Sequence, residues 1–217
     1  MAGAIRIWDL PTRLVHWGMA LLIPFSWWTA ENGQMDRHRL SGYLLLGLLL
    51  FRLIWGFWGS APSRFRAFVK GPFSVWRYVR SEGAREIPGH NPLGGWSVVA
   101  MLGMLSLQVG LGLFSVDEEG FESGPLSHLL EFNSGRTVAA VHEKLFWLLV
   151  ALIALHIAAI LWYLLIRRKN LVAAMITGRM HPAEPVEQPR IAPAWRAVLA
   201  ILIAAAAVWF VAGGLSF

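Results

Sequence analysis

Cysteine is absent from this 217-residue chain. That excludes a thiol nucleophile, a disulfide framework, an iron–sulfur cluster, a Cys-type zinc site and thioether attachment of haem. Any metal must be held by His, carboxylate, Met or backbone. Charge is scarce as well: charged residues make up 15% of the chain, against about 25% in a soluble domain. Hydrophobic residues reach 56% and the mean hydropathy is +0.53. Both departures point toward lipid. Acidic residues are the scarcer sign, which leaves a net charge of +6. In a soluble protein that surplus suggests nucleic acid. In a lipid-embedded chain it reports loop charges that set orientation, and the distribution of charge favours this second reading.

A helix crossing the hydrocarbon core needs about 20 mainly apolar residues. Five stretches qualify: 14–30, 40–59, 93–116, 137–166 and 197–217. The first is short and contains Pro24, so its helix is expected to start near Pro11-Thr12. Arg13, His16, bulky Trp17 and the lack of an A-x-A site argue against a cleaved signal peptide. Between the spans, segments 60–92 and 167–196 each carry six Lys or Arg against two Glu. Segment 117–136 instead carries Asp117, Glu118, Glu119, Glu122 and Glu131 against Arg136 alone. Alternate basic loops place the N-terminus in the cytoplasm and Phe217 outside, in a bacterial inner-membrane topology. Trp8, Trp27, Trp28, Trp55, Trp58 and Trp96 lie near span ends and suit interfacial belts. Residues 63–82 interleave Arg and Lys with aromatics, as in a basic helix lying on the inner surface. The prolines of 182–193 suggest a semi-extended linker.

The seven histidines carry the chemistry. A His inside a span is expensive and defaults to a functional role, although a lone one is often just hydrogen-bonded to a neighbouring helix. His142 and His156 are fourteen residues apart, 40° short of four full turns, so they share one helix face. Along the axis they are about 21 Å apart, one toward each side of a core about 30 Å thick. His16 opens the first span at the inner side and His38 precedes the second at the outer side. Four His thus sort by depth into His16 with His156, and His38 with His142. Two facing His at each of two depths in an apolar bundle suit two low-spin haems, held non-covalently and therefore b-type. Two His alone would leave a zinc ion short of ligands. Arg52, fourteen residues after His38, shares its face at the inner level. It reads either as a partner for a haem propionate or as a side chain snorkelling to the headgroups. His90 reads as a turn residue, and His128 and His181 as solvated. Glu143 beside His142 reads as a proton-transfer group or a surface partner of Lys144. Gln108 reads as an interhelical hydrogen bonder before a quinone contact.

The motifs Trp8-Asp9-Leu10-Pro11-Thr12-Arg13 with His16-Trp17, His38-x-x-x-Gly42-Tyr43, Phe51-Arg52-Leu53-Ile54-Trp55-Gly56 and Gly89-His90-Asn91-Pro92-Leu93-Gly94-Gly95, followed by His142 and His156, occur in that order. In them the chain resembles the bacterial cytochrome b-561 family, which includes the cytochrome b subunits of nickel–iron hydrogenases. The resemblance covers roughly residues 5–178. It implies an all-α transmembrane four-helix bundle with two b haems in bis-His ligation, exchanging electrons with membrane quinone. By motif position His16, His38, His142 and His156 are its haem ligands. The domains expected are 1–178 for the dihaem unit, 179–196 for a proline-rich cytoplasmic linker and 197–217 for one appended transmembrane helix.

The leading functional expectation is a relay that passes electrons between the quinone pool and a periplasmic redox partner, a c-type cytochrome or an oxidoreductase catalytic subunit. The acidic segment 117–131 is a candidate docking surface for a basic partner. A self-contained superoxide/quinone oxidoreductase is the alternative within the same chemistry. A non-haem structural anchor, with its His used in hydrogen bonds, is the alternative outside it.

Overall fold

The computed structural model describes residues 3–80, 89, 91–182 and 186–214. Its long helices are α1 (Leu10–Glu31), α2 (Met35–Trp58), α5 (Pro92–Phe114), α6 (Phe132–Leu165) and α8 (Ala194–Ala212). Short helices α3 (Phe65–Phe68) and α4 (Pro72–Arg80) lie between α2 and α5, and α7 (Leu171–Thr177) follows α6. A two-residue strand near the N-terminus, β1 (Ile5–Arg6), pairs antiparallel with β2 (Arg179–Met180), which follows α7.

Each boundary has a local cause. Asp9 caps α1, its carboxylate accepting the Thr12 amide at 2.8 Å, and Pro11 sits in the first turn, where no amide partner is needed. The tight turn from α1 into α2 passes through Gly33 at φ +67°, a conformation a side chain would strain. Asn91 caps α5 through the Gly94 amide, again with a proline next in sequence.

Four helices are long and apolar enough to cross a membrane: α2, α5, α6 and α8. Five spans were expected. At 22 residues α1 has the length, but no span-length stretch of it is apolar enough, because Arg13, His16 and the buried Thr12, Ser26 and Thr29 lie along it. The helix starts at Leu10, close to the expected Pro11. His38, expected ahead of the second span, lies inside the first turns of α2. The basic helix expected over 63–82 is two short helices separated at Val69–Gly71, and residues 81 and 82 fall outside the described part. On α4 the cations sit over their own aromatics, Arg77 over Phe73 and Arg80 over Trp76. The interfacial assignment of Trp8 and Trp55 is corrected: both are buried, Trp55 almost completely, whereas Trp27, Trp28 and Trp96 are exposed.

α2 is the hub. α1, α5 and α8 all pack closely on it, with Leu45, Leu46, Leu49 and Phe51 in the core. α8 meets it through small residues: Ala200 and Ala204 are buried, and a Cβ on Gly47 would touch Val208. Of the linker expected over 179–196, Arg179–Met180 form β2 and Ala194 opens α8; residues 186–193 have no regular structure and are tied to the end of α2, where the Ser60 hydroxyl accepts the Ala192 amide and the Ala61 amide donates to the Arg190 carbonyl. α6 packs along α5 and stands off from α1 and α2. Side chains rather than backbones cross that gap, and they include the four histidines.

Candidate functional site

The site lies in the gap between α6 and the α1–α2 hairpin. His16 of α1 faces His156 of α6 with ring centres 6.5 Å apart and planes at 55°. His38 of α2 faces His142 of α6 with centres 6.1 Å apart and planes at 84°. Two imidazoles sharing one metal, each with a bond of about 2.0–2.1 Å and a ring centre about 1.1 Å behind the nitrogen, have centres about 6.3 Å apart. Both pairs stand at that separation. All four rings are half-buried.

The His38–His142 pair is oriented from outside the gap. His38 Nδ1 lies 2.8 Å from the Ser26 carbonyl of α1, and His142 Nδ1 lies 2.9 Å from the Gln108 carbonyl of α5. A carbonyl can only accept, so Nδ1 carries the proton in both rings and Nε2 keeps its lone pair. That is the tautomer a metal requires, held by outer hydrogen bonds that also raise ligand basicity. Gly112, one turn after Gln108, makes room for the ring: a Cβ there would stand 3.1 Å from His142 Cε1. On the opposite side a Cβ at Gly42, one turn after His38, would meet nothing within 4 Å. The other pair is held differently. Among the described residues His16 Nδ1 is buried with no hydrogen-bond partner, and the ring leans edge-on against Trp17. Among the described residues no group of three or more His, Asp or Glu could hold a metal ion.

Arg52 is 7% exposed, stacks over Phe65 and leaves Nη1 buried without a partner. Its neighbour is Asp9, whose carboxylate also accepts the Trp55 indole N–H at 2.9 Å. Phe65 packs so tightly on α2 that a Cβ at Gly56 would overlap its ring. Arg52 is therefore held inside the protein. The snorkelling reading does not describe it.

The sequence model of prokaryotic cytochrome b561 matches residues 7–178. The chain belongs to that family. No curated protein and no solved structure matches it. It is accordingly a bacterial membrane cytochrome of the b type, binding haem non-covalently and acting in electron transfer.

Elsewhere in this cytochrome, His128 and His181 are exposed, and His90 lies outside the described residues. Glu143 and Lys144 are both exposed, and among the described residues no ion pair joins them. Gln108 is an interhelical hydrogen bonder: its side-chain nitrogen donates to the His142 carbonyl at 3.0 Å, and its Oε1 is buried without a partner. The acidic segment is partly neutralised, with Glu122 paired to Arg39 and Glu118 to Arg136.

Sequence reasoning missed three features of the cytochrome. The Asp9–Trp55 bond had a legible half, because Asp followed by Leu-Pro-Thr is a helix-start pattern, but nothing in the sequence names Trp55 as its partner. The carbonyls of Ser26 and Gln108 are backbone groups and leave no residue signature. The third is a polar cluster of Tyr78, Asn91 and Tyr163, in which Asn91 donates to the Tyr163 hydroxyl at 2.6 Å and the two phenols stand 3.3 Å apart. Burial and the facing Tyr163 hydroxyl push Tyr78 up to about 12, so it stays protonated at neutral pH.

Proposed function

We propose that this cytochrome carries two b haems and passes electrons across the bacterial inner membrane, between the quinone pool and a redox partner on the periplasmic side. His16 and His156 would hold an inner haem, and His38 and His142 an outer one. The observation that carries this reading is the repeated spacing: two His pairs at 6.5 and 6.1 Å, each fitted to one shared metal. Their α6 members are about 21 Å apart along the helix. One site therefore lies toward each face of a core about 30 Å thick.

Haem iron supplies one-electron chemistry when bound. The chain supplies the rest. The Ser26 and Gln108 carbonyls fix the tautomer and aim of the outer imidazoles. Arg52, buried with an unpartnered Nη1, offers a charge-assisted hydrogen bond to a carboxylate such as a haem propionate. The apolar walls of the helices keep water from the gap and stabilise the less charged, reduced state of a site. Orientation follows the positive-inside rule, with the basic segments 60–92 and 167–196 in the cytoplasm and the acidic segment 117–131 in the periplasm. The periplasmic partner is then a c-type cytochrome or the catalytic subunit of an oxidoreductase. It is met by a surface on which Glu119 and Glu131 form no ion pair among the described residues.

The test is a reduced-minus-oxidised absorption spectrum of the purified protein, with haem measured per polypeptide by pyridine haemochrome. Two low-spin b haems per chain are expected. One haem removes one His pair from the reading. None returns all four His to hydrogen bonding.

A further inference from the structure

At the end of the bundle that carries His16, a cavity of about 580 Å³ is lined by Ala4, Arg6, Arg13, Thr177, Arg179 and Gln188. Ligand pockets commonly fall between about 300 and 1,000 Å³. Among the described residues that line it, three are arginines and none is acidic. Among the described residues, none of the three guanidiniums has a carboxylate within ion-pair reach. Arg13 is the most constrained: one Nη donates to the Ile176 carbonyl at the end of α7, while its Nε is buried with no partner among the described residues. The other walls are already satisfied. Gln188 bonds the Arg6 backbone in both directions, and the Thr177 hydroxyl donates to the Ala173 carbonyl. The β1–β2 pairing brings Arg6 beside Arg179.

Three like charges around one cavity repel unless an anion joins them, and guanidinium groups match the oxygens of a phosphate. The flank of the cavity indicates the source of that phosphate. Leu14, next to Arg13, is 62% exposed, and Ile176, whose carbonyl Arg13 holds, is 57% exposed. A basic mouth with a bare apolar wall at the end of membrane helices fits a headgroup with its acyl chain alongside.

We propose that this cavity binds the phosphate of an anionic phospholipid. Ala4, Arg6, Arg179 and Gln188 all lie outside residues 7–178, the span matched by the family model, so the site belongs to the termini of this chain rather than to the shared core. It gives the segment after α7 a task, which is to close a lipid site onto the N-terminal strand.

The experiment uses the full-length, haem-loaded protein in zwitterionic detergent, titrated with phosphatidylglycerol or phosphatidylcholine and read by native mass spectrometry, with inorganic phosphate added as competitor. Each Lys or Arg near an anionic headgroup contributes about 1 kcal/mol, so R6Q/R179Q should weaken phosphatidylglycerol binding about 30-fold, or about 2 kcal/mol at 1.4 kcal/mol per tenfold. Haem content and thermal midpoint of R6Q/R179Q check that the variant is folded. R77Q/R80Q on α4 controls for general surface charge and should leave the binding unchanged. Retention of phosphatidylglycerol in about 10 mM phosphate supports the lipid source, since a site for free phosphate would exchange its ligand by mass action. Displacement by phosphate alone, equal binding of phosphatidylcholine, or unchanged affinity in R6Q/R179Q overturns the proposal.

Discussion

Asp9 performs two structural tasks with one carboxylate, and replacing it makes a quantitative test of how the His16 end of the bundle is held. One oxygen caps α1 through the Thr12 amide and the other accepts the Trp55 indole N–H, in a site where Asp9 is 2% and Trp55 1% exposed. Loss of an N-cap costs about 1 kcal/mol. A buried donor left without its acceptor costs about 1–3 kcal/mol. Asp9→Ala should therefore destabilise the protein by about 3 kcal/mol, with a further loss because Arg52 gives up its neighbouring negative charge. At about 2–4 °C per kcal/mol for a chain of this length, the thermal midpoint falls by about 6–12 °C. Asp9→Asn separates the tasks. Asn caps as well as Asp, but with Oδ1 on the Thr12 amide its NH2 faces the indole N–H, donor against donor. It should recover about 1 kcal/mol of the loss and no more. The assay is thermal denaturation of the detergent-solubilised protein at one fixed scan rate, followed by the haem absorption band. A midpoint for Asp9→Ala within 2 °C of wild type would refute the reasoning. Equal midpoints for the Ala and Asn variants would refute the capping part of it.

Three further outcomes are expected. Gly112→Ala places a Cβ 3.1 Å from His142 Cε1, so the ring must shift by a few tenths of an ångström; Gly112→Val should cut haem from two to about one per chain, and an unchanged haemochrome ratio would remove His142 from the ligand set. Arg52→Gln removes a buried positive charge and should lower the midpoint potential of one haem by about 50 mV, the equivalent of roughly 1 kcal/mol for one electron, while Arg52→Lys restores most of it; redox titration that finds both potentials unmoved excludes Arg52 as a partner of either haem. Neutralising Asp117, Glu118, Glu119, Glu122 and Glu131 together should slow electron exchange with a basic redox protein about tenfold at low salt. Glu122→Gln alone, which breaks a half-exposed pair with Arg39, should change stability by less than about 1 kcal/mol, and a rate indifferent to all five substitutions makes the segment a solvated loop.

The contrast between what the sequence foretold and what it concealed has a physical basis in these same residues. Helical period put His142 and His156 on one face at two depths, and the span order placed His16 and His38 at the matching depths. The structure then brings His16 opposite His156 and His38 opposite His142, as depth sorting anticipates. Hydropathy found α2, α5, α6 and α8 for the same reason, since a span is a local property of about 20 residues. It was weakest for α1, where the polar groups that lower apolarity are those that serve the interior: Thr12 bonds Ser63 at 2.7 Å, and the Ser26 hydroxyl lies 3.2 Å from His38 Nδ1. A polar residue in a span carries no mark of which neighbour satisfies it, so of the Asp9–Trp55–Arg52 cluster the sequence showed Trp55 as interfacial and Arg52 as a propionate partner or a snorkelling side chain, and gave Asp9 no role. The basic segment 63–82 misled for a related reason. Its alternation of cations and aromatics describes a surface, but the break at Val69–Gly71 comes from tertiary demand: Phe68 is 3% exposed, and its carbonyl lies so close to Gly95 of α5 that a Cβ there would overlap it. Local pattern fixes what a residue can do, and contact across the bundle decides which of those things it does. The facing histidine pairs were readable in advance because helix rise and depth in a span are fixed by sequence position, whereas a buried carboxylate can be satisfied in many ways and announces none of them.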